Sequence, residues 1–244
     1  MQLEEQMAKS KREFGEGPIN TITNYVFWFF LGNLYFLLLN IPLLMVSIVI
    51  FSNGSASLPK GFIAVIAICC IPLGPAFTAL LSVMGKLIRE KDINITKDFF
   101  KAYKTNFTQS LFFGTLEIML ISILYVDIQF LASSSYPRIL TSFIFISIAL
   151  IFLMSLHIFP IISRFYLSKK DVIKLALYYT IRKFHITILN CTSFIVIGFI
   201  FTQVTTFVFI FMWSIICYFI MVYEQKILIE IEDKFIKSTE KGLQ

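Results

Sequence analysis

Glu117 is the residue of this sequence whose type and position most invite chemistry. It stands inside the apolar run 110–132, seven residues from its start, which is about 10 Å along a helix. A carboxylate at that depth in a bilayer costs about 3 kcal/mol, so such a residue turns toward a bundle interior or a cavity. There it would serve as a proton or cation site or as a polar contact to a substrate. The other reading is a protonated glutamic acid, hydrogen-bonded to a neighbouring helix and stabilising the packing. Asp127, near the far end of the same run, reads as an interfacial residue.

Asn33 and Asn40 are seven apart and share a face of the first apolar run. That suits inter-helix hydrogen bonding or a polar lining. Pro42 follows them and cannot bond the carbonyl of Leu38, which predicts a kink. In the second run, Ile71-Pro72-Leu73-Gly74-Pro75-Ala76 sets two prolines three apart. They predict a kinked or broken helix at depth, whose freed carbonyls need partners. Pro72 and Pro75 are therefore candidate site residues beside Glu117, Asn33 and Asn40, since broken helices at mid-membrane form binding sites in transporters. His157 and Arg164, also seven apart, flank Pro160. With His185 the only other histidine, no metal-ligand set exists, and no cofactor is expected. Cys69, Cys70, Cys191 and Cys217 all lie in apolar runs and read as small buried side chains. The motifs HExxH, GxSxG, GxxxxGK[ST] and GxGxxG are absent, so an enzyme is not expected.

The elements that hold these residues follow from composition. Of 244 residues, 57% are hydrophobic and 15% charged, against about a quarter charged in soluble domains. The mean hydropathy is +0.81. The apolar residues gather in the runs 25–51, 61–84, 110–132, 139–163 and 186–223. A bilayer core of roughly 30 Å takes about 20 helical residues to cross. Lipid leaves backbone polar groups unsatisfied, so these runs are predicted to be helices. The last run would be roughly 57 Å long as one helix. It is expected to go out and return, turning near 203–206, and the alternative is a five-span chain with one long tilted or re-entrant helix.

Charge orients the spans. Of the 21 lysines and arginines, all but Lys60 and Arg138 fall on one side of the predicted spans. That bias predicts a cytoplasmic location for both termini and an even number of spans. Residues 1–20 carry Glu4, Glu5, Lys9, Lys11, Arg12, Glu13 and Glu16, with no apolar signal region. The expected architecture is an all-α, polytopic transmembrane helix bundle of six spans. It divides into a cytoplasmic tail (1–20), a membrane domain (21–225) and a cytoplasmic C-terminal tail (226–244). The net charge of +6 belongs with a lipid surface as partner, because no nucleic-acid-reading motif accompanies it.

Two basic loops have helical patterns of their own. In the first, Thr96 is the expected N-cap, Asp98 suits the positive end of the helix dipole, and Ile95 and Phe100 stand at staple positions. Phe99, Phe100, Tyr103 and Phe107 share a face, while Lys101 and Lys104 point elsewhere. In the second, Ser168 and Asp171 make a capping-box-like pair, Leu167 and Val172 a staple, and Val172, Leu175, Ala176 and Tyr179 an apolar face. Both segments are predicted to lie at the inner membrane surface. Phe99, Phe100, Lys101, Tyr103, Lys104 and Phe107 form a candidate docking surface for a cytoplasmic partner. The order span, basic helix, span occurs twice, at about 61–132 and 139–202.

Gly74-Pro75-Ala76-Phe77-Thr78-Ala79-Leu80 closes a span ahead of a basic loop. Phe99-Phe100-Lys101-Ala102-Tyr103-Lys104-Thr105-Asn106-Phe107 then leads into the next. Together these segments resemble the YesL-like family of bacterial membrane proteins, a domain of unknown function, over about 20–225. The resemblance implies a cell-membrane protein in an accessory or regulatory role in carbohydrate uptake. Its implied partners are ABC-type sugar importer subunits, because the family's genes lie near such systems. The EAA-type coupling loop of importer permeases is missing, so the chain is not expected to be the permease. The alternative is a stand-alone small-solute or ion transporter or channel with Glu117 near a central cavity.

Overall fold

A computed structural model describes residues 18–53, 61–90, 93–132, 138–203 and 209–241. No strand occurs among them. The helices are α1 (Pro18–Leu39), α2 (Ile41–Asn53), α3 (Phe62–Cys69), α4 (Leu73–Glu90), α5 (Ile95–Ala132), α6 (Arg138–Arg164), α7 (Lys169–Arg182), α8 (Phe184–Gln203) and α9 (Met212–Lys241). Five spans are long and apolar enough to cross a membrane: Thr21–Leu39, Phe62–Glu90, Ile95–Ala132, Ile139–Arg164 and Met212–Phe235. The number becomes six if the bent pair α7–α8 is counted.

Pro42 and the Pro72–Pro75 pair break the chain where their missing N–H groups require it, whereas α6 runs on through Pro160. Ahead of Pro42, helix α1 ends and α2 begins across Asn40, whose N–H reaches Phe36 O at 3.2 Å and Leu37 O at 3.1 Å. The run 25–51 is therefore two helices, and α2 has 13 residues, too few to cross. Ahead of Pro75, the chain passes from α3 to α4 through tighter turns, Ile71 N–H to Ile68 O (3.2 Å) and Leu73 N–H to Cys70 O (3.0 Å). Pro75 itself falls in the first turn of α4, where the lack of an N–H costs little.

Helix α4 runs through the centre of the bundle, packed on α1, α5, α6 and α9. Ala76, Ala79, Leu80, Leu81, Met84 and Leu87 are fully buried along it. The closest crossing is with α5. A Cβ on Gly74 would stand 2.8 Å from Ser110 O, and one on Gly114 would stand 3.1 Å from the Gly74 Cα. Only glycine at both places lets the backbones meet. Packing is dense at the end of the bundle that carries the basic connectors and thins toward the other. Between Gly114 and Ser155, no residue whose burial is described is buried. Ile123, Phe130, Phe143, Ile146 and Leu150 are exposed there, a surface suited to lipid and not to water.

The first basic segment departs from expectation. It does not lie apart at the membrane surface, because 95–132 is a single 38-residue helix. Gln109 and Ser110 are buried within it and do not end it, their donors being bonded although Gln109 Oε1 has no partner. Gln109 donates to Leu167 O (2.8 Å) and Ser110 to Asn106 O (2.7 Å). Its N-cap is Asn94 and not Thr96: Asn94 Oδ1 accepts from Lys97 N–H, and Asp98 Oδ2 accepts from Asn94 N–H, both at 3.1 Å. Lys86 of α4 donates to both oxygens of Asp98 at 2.9 Å. Thr96 instead pairs its hydroxyl with that of Tyr35 (2.8 Å).

The second basic segment is a separate helix. Ser168 caps α7, accepting from Asp171 N–H as the spacing predicts. Val172, Ala176, Tyr179 and Thr180 are buried and the helix packs on α6, so its apolar face covers the protein's own core. At Lys183 the chain turns by 91° into α8. The run 186–223 then divides between α8 and α9, which pack on each other. One long helix across it is excluded. Helix α8 ends at Gln203, and most of the expected turn at 203–206 lies outside the described residues, as do 1–17 and 242–244. Lys183–Glu230 (3.3 Å) and Arg164–Glu232 ion pairs tie α6, the α7–α8 corner and α9 together, with Lys234–Glu230 (2.9 Å) a pair within α9.

Candidate functional site

Where α4 and α5 part beyond the Gly74–Gly114 contact, they leave a cavity of about 620 Å³. Its walls come from α3 and α4 on either side of the proline break, from α5 and α6, and from Phe194 of α8 and Trp213 of α9. Glu117 is the one charged residue among the described lining side chains; Ser122, Tyr125 and Ser155 supply hydroxyls. It sits one turn after Gly114, so the glycine crossing fixes its height on the bundle. Ser155 of α6 stands beside it, with its hydroxyl donating to Phe152 O at 2.7 Å. Rings reinforce the wall as edge-to-face pairs, Phe77 with Phe159 (5.7 Å between centroids) and Phe152 with Phe194 (5.8 Å).

The other candidates lie outside this lining. Asn33 is fully buried and caps α9, accepting from Trp213 N–H at 3.0 Å and donating to Phe209 O at 3.3 Å. It touches the cavity only through the helix it anchors. Asn40 donates to Phe36 O at 2.8 Å, and its Oδ1 is buried without a partner. Pro72 and Pro75 shape the site by breaking the helix, and the residues they free for the wall are Cys70, Leu73 and Gly74. Of the carbonyls the prolines leave free, that of Ile68 accepts from Ile71 N–H at 3.2 Å, while Thr78 donates to the Gly74 carbonyl within α4 at 2.9 Å.

The proposed docking set also changes. Phe99 is fully buried, packed on Tyr35 at 5.6 Å, and leaves the set because its ring belongs to the core. Phe100 is 47% exposed. Lys101, Lys104 and Phe107 are exposed as well, with Tyr103 half-buried against Phe107.

A second buried carboxylate escaped the sequence reading. Glu224 of α9 and His157 of α6 are both 0% exposed, with His157 Nδ1 2.9 Å from Glu224 Oε1, though off the line of a hydrogen bond. Asn190 of α8 donates to the same oxygen at 2.7 Å. His157 Nε2 meets Thr187 Oγ1 at 2.9 Å. Hydropathy places the end of the last run at Tyr223, which leaves Glu224 just past it at the edge of the 21–225 membrane domain. The signal that finds it is helical spacing: Cys217, Ile220, Met221, Ile227, Leu228 and Ile231 form a buried stripe, and Glu224 falls within it.

Fold and site together define a class: a multi-pass helical membrane protein with a cavity between its spans. Within that class, residues 21–128 match the family model described as "Protein of unknown function, DUF624", which is the YesL-like family. The match runs from α1 through most of α5 and includes Glu117, Gly74 and Gly114. His157, Asn190 and Glu224 lie beyond it. No curated protein and no solved structure matches the chain.

Proposed function

We propose that this protein binds a small solute in the cavity beside Glu117 and carries it through the membrane. The observation behind this reading is the placement of Glu117. A carboxylate set in an apolar helix borders about 620 Å³ of open space, within the range of about 300–1,000 Å³ that holds small ligands. The broken α3–α4 span forms one wall, an arrangement that suits a site able to open and close. Proteoliposomes loaded with a panel of small amphiphiles and monovalent ions provide the test. The reading expects flux above empty liposomes that Glu117→Gln abolishes, whereas undiminished flux in that variant contradicts it.

The charge bias of the connectors supports placing both termini at the cytoplasmic face of a cell membrane. A second reading, an accessory role in carbohydrate uptake, draws on the exposed Phe100, Lys101, Lys104 and Phe107 at the basic end of α5 as a surface for importer subunits. Co-purification of such subunits from native membrane supports it, and a lone monomer counts against it. The cavity itself suits a sugar poorly, because a polyol needs a dense set of hydrogen-bond partners.

A further inference from the structure

The cavity wall also selects the chemistry of what enters. Phe77, Phe152, Phe159, Phe194, Trp213 and Tyr125 reach it from five helices, and no lysine, arginine or histidine among the described residues lines it. Aromatic faces carry negative quadrupole density and attract cations, the more so when water is excluded. Among the described residues Glu117 has one hydroxyl neighbour and none of the positive partners that a carboxylate in apolar surroundings demands. An anion would meet both the carboxylate and the ring faces. A neutral apolar molecule would gain nothing from Glu117.

We infer that the cavity takes a lipophilic cation, an apolar body bearing one ammonium- or phosphonium-type charge held against Glu117 and the surrounding rings. This inference rests on the reading of the cavity as a small-solute site. The apolar body exchanges lipid for a wall of similar polarity, so affinity and selection come from the charge. No covalent step is involved. The solute need only partition into the bilayer to reach the open side of the cavity.

The test uses three tetraphenyl probes of nearly equal shape: tetraphenylphosphonium (cation), tetraphenylborate (anion) and tetraphenylsilane (neutral). The full chain is placed in phosphatidylcholine nanodiscs, with empty nanodiscs correcting for partition. The chain has two tryptophans. Trp28 sits in the core and Trp213 in the cavity wall, so Trp28→Phe leaves the cavity indole as the reporter. Equilibrium dialysis of radiolabelled probe on the unsubstituted chain stands independently of that variant. The expected result is saturable binding of the cation at one site per chain, weakened at least about tenfold by Glu117→Gln, with no saturable binding of the anion. Equal binding of all three probes, unchanged by Glu117→Gln, would overturn the cationic class while leaving the small-solute site standing, filled by neutral apolar matter such as an acyl chain. Failure of all three to bind would overturn the site as well.

Discussion

Glu117 and Glu224 are carboxylates set into apolar helices, and the protein treats them in opposite ways. Glu224 is enclosed by three helices, with Asn190 donating to it, His157 against it, and no exposure. Glu117 has a single serine neighbour and borders open space. The first arrangement is a clamp. It joins α6, α8 and α9, and removal of any member strands the others. The second sets a carboxylate against open space, on a wall that nothing else among the described residues charges. Helix packing explains the contrast: Glu224 sits in the dense end of the bundle, and Glu117 lies just past the glycine crossing where the helices diverge.

The largest expected effect is at the clamp. Glu224→Ala strands His157 and Asn190 in the core and should cost about 3 kcal/mol of stability, read as a large drop in melting temperature in detergent. A small drop would mean that the cluster is not holding the three helices. Next is the crossing that sets the height of Glu117. Gly74→Ala places a methyl 2.8 Å from Ser110 O, against backbone that cannot give way. A loss of about 1–3 kcal/mol is expected, together with weaker probe binding in the cavity. Unaltered binding would separate the crossing from the site.

Asn33→Ala removes the cap of α9 and should cost about 1 kcal/mol, with a shifted Trp213 emission because the capped N–H is Trp213's own. Ser168→Ala, at the exposed start of α7, should cost about 0.5–1 kcal/mol and leave that emission unchanged. The smallest effect is predicted at Glu117. Glu117→Gln should alter melting by less than about 0.5 kcal/mol while removing cation binding. A loss of stability comparable to that of Glu224→Ala would erase the distinction between the two carboxylates.

Much of the architecture was legible in the sequence because its causes are local. Pro42 and Pro72–Pro75 mark the breaks, Ser168 marks the start of α7, and the apolar runs mark the helices. Glu117 was legible as a polar residue in an apolar run. Long-range partnerships were not. The bond from Asn33 to Trp213 spans 180 positions, and nothing near Asn33 announces that it caps another helix. The continuity of α5 was hidden because Asn106, Gln109 and Ser110 look like a loop boundary until Leu167 O is found to take the Gln109 amide and the helix's own carbonyl the Ser110 hydroxyl. Glu224 was obscured by a hydropathy boundary drawn one residue too early, where helical periodicity would have carried the stripe onward.

Labelling by dicyclohexylcarbodiimide tests the contrast most directly. This membrane-soluble reagent adds to a protonated carboxyl in apolar surroundings to form a stable N-acylurea, and peptide mass spectrometry locates the adduct. The cavity account predicts modification at Glu117, suppressed by tetraphenylphosphonium, and none at Glu224 in the folded protein. An unmodified Glu117, or a Glu224 labelled as readily, would contradict it.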